Sequence, residues 1–564
     1  MIASTLQIVP RSRSQPKRVL LTKKSTTLHP KSPKKPSKTN TKSTKAEKLL
    51  NNILKEIHVK QPSPEGQKTD PHSELDPKGY HPLKAYAFTK KQDFDQLKKE
   101  KPENWRILVE EQIPSLTELL QRIFKVIEKQ EILVSATQKC FEDLPPVKLA
   151  GHKVEADLVI EFRLVNKAEK GIDGGPCLWH KKTGRPLWVV VFIDQANLTT
   201  KVRLWEKQFA TLVQGVFHGM GLYEDYYKDF RDPNTADYTK IPSEKSVFKD
   251  KEGHFHITTP KLLQVARDHF DCQSLKSIPM EGISYGHWDR SFVAGSALGG
   301  GDQITPITLA YLEDSGWYKV DYKEADVWTY GYRSGCGFIL QDCEGHEKDK
   351  GNNYFSCQEK DYSRLGCSID YKKKAKCSNL MNQGKLMYIG DSSSLDCRFP
   401  ENSKTDENQF WAQRGEFFGQ GSRCFNGIMP PETTKTRTTI ENKAYRVKTK
   451  MRAGCFNAFC RTTRKGQKTI VIDAYDKDFQ CTESFGKLHT SHEDGEYIEC
   501  PHIPSFCLME DNECPEDCNF QGRCVEGGKC RCYHGWSGKA CHKKALGQAT
   551  ISSSVKITPV APAT

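Results

Sequence analysis

The sequence predicts an α+β fold, and three observations point to it. Apolar residues recur at helical spacing in two long segments, about 105–130 and 203–223. Between them, two runs dense in β-branched residues, 156–165 and 186–194, read as strands. Beyond Cys336 the chain turns to short segments with frequent Cys, Gly and Asn, the composition of a disulfide-stapled, strand-rich domain. With 564 residues the chain is long enough for two or three domains with real cores.

Residues 1–60 read as a basic disordered arm ending in a short amphipathic helix. Residues 1–46 hold twelve Lys and Arg and no acid, with many Ser, Thr and Pro and few large apolar side chains. Such a segment buries too little surface to offset its ordering entropy. Without those twelve, 73 basic residues face 71 acidic ones, so the formal charge of +14 belongs to the arm and not to the body. Three readings of the arm compete: a solvated tail, an attachment to an acidic surface (tubulin tails, nucleic acid or anionic lipid), and an organellar transit peptide. A cytoskeletal or ciliary tether would fall under the second. Leu49, Leu50, Ile53 and Ile57 place a helix over 44–59, and 61–85 reads as a Pro- and Gly-punctuated linker.

The first long helix carries Ile107, Leu108, Ile113, Leu116, Leu119, Leu120 and Ile123 on its apolar side. The second buries Trp205, Phe209, Leu212, Val213, Val216, Phe217 and Met220. The longest apolar run, 187–193, suits a buried strand and is far short of the roughly 18 residues a membrane span needs. No G-x-S-x-G elbow or P-loop is present, so serine-hydrolase and NTPase chemistry find no support. The glycines 299–301 read as a turn.

Twenty-one cysteines argue for an oxidising compartment, yet the N-terminus lacks the apolar core of a secretory signal. The compartment therefore stays open. An odd count leaves a thiol unpaired or bonded to another chain. Asn197-Leu198-Thr199 fits the glycosylation triplet, which matters on a secretory route; Asn402-Ser403-Lys404 does not fit it.

Cys514, Cys518, Cys524, Cys530, Cys532 and Cys541 follow C-x3-C-x5-C-x5-C-x-C-x8-C, with Gly535, Trp536 and Gly538 before the last cysteine. Residues 511–543 resemble an EGF-like domain. So short a segment needs disulfides in place of a core. The resemblance implies pairing of first with third, second with fourth and fifth with sixth; spacing alone leaves fifteen connectivities. A zinc cluster is the rival reading, although paired C-x-x-C knuckles are missing. Glu510, Asp511, Asn512 and Glu513 hint at calcium before the first cysteine. Residues 544–564 read as a polar tail.

The stretch 265–322 contains Val-Ala-Arg, Cys272-Gln-Ser-Leu, His287-Trp288 and Leu-Glu-Asp-Ser-Gly-Trp-Tyr. Further elements are Cys177 with KTGRP at 182–186, the Ala-Asp-Leu-Val strand at 156 and Gly335-Cys-Gly-Phe. Over about residues 100–510 the chain is similar to the leishmanolysin family of zinc metalloendopeptidases. That implies a metzincin-like body over 86–335 and the family's Cys-rich domain over 336–510. The family's chemistry needs two His at i and i+4 on one helical face, a Glu beside the first as general base, a helix-ending Gly, a third His and a Met beneath the metal. Aligned on His218 and Gly221, this sequence has Gln214 at the first-ligand position and Gly215 at the general-base position. His287 falls at the third ligand and Leu298 at the Met. His218 and His287 are thus remnant ligands, and no catalytic residue is assigned. Carboxamides are poor zinc ligands, and losing a general base costs about 10²- to 10⁴-fold in rate. No cofactor is expected, with a residual zinc on Gln214, His218 and His287 as the alternative. The reading is a pseudoprotease acting as a binding or scaffold subunit, with protein partners on the body or the EGF-like module. The rivals are an active endopeptidase with a rearranged site, and a surface or secreted adhesion protein working through its EGF-like module.

Overall fold

The computed structural model describes residues 79–544 and 557–559, apart from 128–130, 136–139, 141–148, 166–172, 223–225, 236, 250, 252–254, 281–303, 330, 341–364, 369, 380–385, 390–395, 405–414, 429–451 and 491–495. The basic arm, the helix read over 44–59 and the linker up to residue 78 lie outside the described residues, as do His287, Leu298 and the 299–301 glycines.

The body is built on a four-stranded sheet. Its strands are β2 (Ala85–Thr89), β6 (Leu158–Val165), β7 (Asp173–Trp179) and β8 (Pro186–Asp194), in the order β2-β6-β8-β7. The first three in that order run parallel, and β7 closes one edge antiparallel to β8. Both central strands are buried almost throughout, as expected of parallel strands covered on both faces. Side chains alternate across the sheet. Ile160, Phe162 and Leu164, with Val189, Val191 and Ile193, enter the main helix-covered core. Val159, Trp188 and Val190 enter a second core on the other face, which also holds Cys140, Cys177, Ile132, Val134 and Val154.

The main core is roofed by α1 (Lys91–Glu100), α2, α3 (Trp205–Met220), α4 (Pro260–Phe270) and α5 (Pro306–Asp314). Helix α2 is continuous in three pieces: α-helical Pro102–Arg106, π-helical Ile107–Gln112 and α-helical Ile113–Ile123. It stops at Ile123, short of the residue-130 end that its apolar stripe suggests. Phe124 takes an extended conformation and opens β3 (Phe124–Val126). The reason is a change of period: Phe124 and Val126 are buried and Lys125 between them is exposed.

β3 is the middle strand between β1 (His81–Pro82) and β9 (Lys319–Val320). The last residues of the expected linker are therefore part of the fold, with Leu83 and Ala85 in the main core. The expected polar tail also needs correction. Ile557–Pro559 pairs antiparallel with β5 (His152–Val154), beside β4 (Ile132–Val134), and Ile557 packs on the second core. The run 555–560 carries alternating β-branched residues that a polar-tail reading overlooks.

The C-terminal region is strand-rich. Its sheet contains β10 (Ser422–Ile428), β11 (Arg452–Thr462), β12 (Lys468–Ala474), β13 (Lys477–Cys481), β14 (Lys487–His489) and β15 (Tyr497–Glu499). The order is β13-β12-β11-β10-β15-β14, antiparallel throughout. α6 (Ile503–Asp511) packs its Ile503, Phe506 and Met509 on Phe425, Phe456 and Ile472 of that sheet. The described residues form nine disulfides, seven of them from Cys367 through the last module: Cys367–Cys424, Cys397–Cys455, Cys460–Cys507, Cys481–Cys500, Cys514–Cys524, Cys518–Cys530 and Cys532–Cys541. Cys140–Cys177 and Cys272–Cys336 staple the body.

Candidate functional site

Helix α3 carries the residues that the sequence singles out, and its seating can be followed from its first residue to its last. At the start, buried Gln112 of α2 donates to the Trp205 carbonyl at 3.3 Å. Gln208 donates to the Gln112 side chain at 2.6 Å and accepts from the Thr199 backbone at 2.8 Å. In the middle, the helix lies directly on the sheet. A Cβ added to Gly174 of β7 would stand 2.2 Å from the Gly215 carbonyl oxygen. A Cβ on Gly219 would stand 2.7 Å from Cβ of Val189. Glycine at 174 and 219 therefore sets how closely helix and sheet approach.

At its end the helix closes on Gly221, whose φ of 122° is a left-handed conformation that side-chain-bearing residues rarely adopt. The Gly221 N–H donates to the His218 carbonyl at 3.1 Å, and that of Leu222 to Phe217 at 2.9 Å. Trp317 fills the space beside Gly221 and donates its indole N–H to the Thr183 carbonyl at 2.9 Å. Tyr318 donates its hydroxyl to the Met220 carbonyl at 3.1 Å, and burial pushes its phenol well above the ordinary tyrosine value. The Ser-Gly-Trp-Tyr element thus clamps the C-terminal end of α3.

On this frame Gln214 and His218 stand four residues apart, on one face of α3. His218 is buried and Gln214 partly exposed. Gly215, between them, presents backbone only. Its carbonyl meets β7. On this face α3 offers a metal one imidazole and one carboxamide, where the helix of a zinc hydrolase sets two imidazoles, and Gly215 supplies no base between them. Gln214 and Gly215 do not fit a catalytic zinc.

Asp314, at the end of α5, accepts from the Lys261 and Leu262 backbone at 3.0 and 2.9 Å and so caps α4. Burial raises its carboxyl to about 6 against these hydrogen bonds.

The six-cysteine module is docked on the body, which nothing in the sequence signals. Tyr533 is buried in the main core, its ring 4.8 Å from that of Phe209 on α3. Arg523 pairs with Asp326 at 2.6 Å and donates to the Glu324 carbonyl at 3.0 Å. Glu324 also takes Arg531 at 2.7 Å and Arg122 of α2 at 3.2 Å. Burial raises the Asp326 carboxyl, partly offset by Arg523. The His534 backbone donates to Ser115 at 2.7 Å, and its ring meets Glu118 at 2.8 Å. Within the module the cysteines pair first with third, second with fourth and fifth with sixth. Cys514, Cys518 and Cys530 form the one metal-capable cluster of three among the described residues. All three are held in disulfides, so the zinc-cluster alternative for this module is excluded.

The sequence model of the peptidase family described as leishmanolysin matches residues 88–387, which is 300 of the chain's 564 residues. The chain belongs to the leishmanolysin family. Among its relatives is a leishmanolysin-like peptidase of Drosophila melanogaster, 23% identical over 360 residues that take in 48% of this chain and 52% of the relative. The ciliated left-right organizer metallopeptidase of Homo sapiens is 29% identical over 258 residues, 43% of this chain and 31% of the relative. That of Danio rerio is 24% identical over 285 residues, 47% and 43%. The chain spans about half or less of these leishmanolysin relatives. The family match takes in β6–β8, α3 and the Trp317–Tyr318 clamp.

Proposed function

We propose that this chain is a leishmanolysin-family protein that no longer hydrolyses peptide bonds and serves as a binding or scaffold subunit. The observation that carries this reading is the substitution pattern on an otherwise well-seated helix. α3 keeps its packing on the sheet, its terminal glycine and its aromatic clamp, while Gln214 and Gly215 stand at the first-ligand and general-base positions. Without a carboxylate at 215, water at a metal would lack its proton acceptor, a loss of about 10²- to 10⁴-fold on its own. His287 is proposed as the second remnant ligand and Leu298 as the residue at the Met position.

The six-cysteine module is proposed to be EGF-like. Its disulfide pattern and its hairpin, Gly522–Val525 with Lys529–Cys532, support that reading. Docked through Tyr533, Arg523 and Arg531, it acts as part of the body and not as a free spacer. Residues 1–46 are proposed to attach the chain to an acidic surface through their twelve unopposed cations.

The test is cleavage of unfolded casein by the purified protein, with and without a chelator. The expected rate equals that of a His218→Ala variant and ignores the chelator. Chelator-sensitive cleavage lost in His218→Ala would overturn the reading.

A further inference from the structure

Asn197-Leu198-Thr199 is the only Asn-x-Ser/Thr triplet in the 564 residues. We propose that Asn197 carries an N-linked oligosaccharide. The inference is independent of whether the chain retains proteolytic activity.

Three features of the fold support it. First, the triplet is presented outward. Asn197 ends a single 3-10 turn, Gln195–Asn197, that follows β8, and it is exposed. Asp194 caps that turn by accepting from the Ala196 N–H at 2.9 Å. Second, the residues after it hold the loop in place. Leu198 packs on the main core, and the Thr199 N–H is taken by Gln208 at 2.8 Å. A bulky group on Asn197 Nδ2 therefore leaves into solvent without moving the core. Asn402 makes the contrast: it is buried, donates its amide to the Asp396 carbonyl at 2.8 Å, and lacks the triplet. Third, the disulfides place the fold where glycan transfer occurs. Cys140–Cys177, Cys397–Cys455 and Cys481–Cys500 are buried at both ends, in three separate apolar clusters. Such bonds form and persist in an oxidising lumen, not in a reducing cytosol. Cys177 lies on β7, the strand paired with β8, whose end leads into Asn197.

The donor is a lipid-diphosphate-linked oligosaccharide and the catalyst a membrane-bound oligosaccharide transferase. Asn197 Nδ2 forms a bond to the anomeric carbon. The bond from that carbon to the diphosphate oxygen breaks, the lipid diphosphate leaves with the electron pair, and one amide proton is lost. No redox partner is needed. The glycan would stand on the loop leading into α3, beside the helix start that Gln112 and Gln208 fasten. It would keep macromolecules off that edge of the body.

The test takes the full chain from the cells that make it, with no added leader. Trypsin releases peptide 183–201, since the Arg185–Pro186 bond resists cleavage. Release with peptide N-glycosidase in heavy-oxygen water is expected to convert Asn197 to aspartate bearing one heavy oxygen. The intact protein should shift once in mobility. Asn197→Gln and Thr199→Ala should abolish the shift, and Thr199→Ser should keep it. The serine variant separates loss of the acceptor from misfolding. Recovery of peptide 183–201 with Asn197 unmodified throughout would overturn the proposal. So would a shift that persists in Asn197→Gln.

Discussion

At the scale of single residues, the close approach of α3 to its sheet is set where side chains are missing. Gly174→Ala would put a methyl group inside the Gly215 carbonyl. The contact is backbone on backbone, so neither side can swing away, and helix and strand must separate. Overpacking of this kind costs at least about 1–3 kcal/mol, read as a lowered denaturation midpoint with unchanged slope. A midpoint equal to that of the parent would contradict the packing described. Asp314 gives a pH signature. Its carboxyl is raised from 3.8 in the unfolded chain to about 6 in the folded one. The folded state therefore holds this proton more tightly. The stability it contributes is fully present below 3.8 and is lost as pH rises through about 6. Asp314→Asn removes that dependence. The melting temperature of the parent, relative to the variant, should fall between those two values and be level above them. A rising difference would have the wrong sign.

At the scale of elements, what was legible in the sequence depended on period and length. β8 is read from 186 to 194 without error because every position is apolar or β-branched up to Asp194. α3 is found within three residues at either end, since its stripe from Trp205 to Met220 never breaks. α2 is overrun because Phe124 and Val126 also satisfy a helical stripe, and only their alternation with Lys125 reveals β3. The two-residue β1 is too short to show a period at all. Of the candidate site, Gln214, Gly215, His218 and Gly221 were picked out by the resemblance to the leishmanolysin helix motif. The part played by Gly174 was not, for it sits 41 residues before Gly215 and is placed there by sheet pairing. Docking of the last module was equally hidden, because Arg523 meets Asp326 across 197 residues. That contact carries its own prediction. Arg523→Ala leaves Asp326 buried without its cation, which typically costs about 3–5 kcal/mol. Denaturation and susceptibility of residues 511–543 to protease should report it together. Loss of stability with the module still protected would place the effect elsewhere.

At the scale of the whole molecule, a family body, a strand-rich disulfide domain and a six-cysteine module share buried contacts, and the last returns to touch α3 itself through Tyr533 and Phe209. The proposed binding or assembly role rests on Gln214 and Gly215 of that helix. Metal content tests this most directly. The measurement is elemental analysis of the purified protein after equilibration with zinc and gel filtration, beside a Gln214→His, Gly215→Glu double variant. The account predicts zinc well below one per chain in the parent and a higher content in the variant, which regains an imidazole at the first-ligand position. One zinc per chain retained by the parent, and stripped only by a strong chelator, would contradict it.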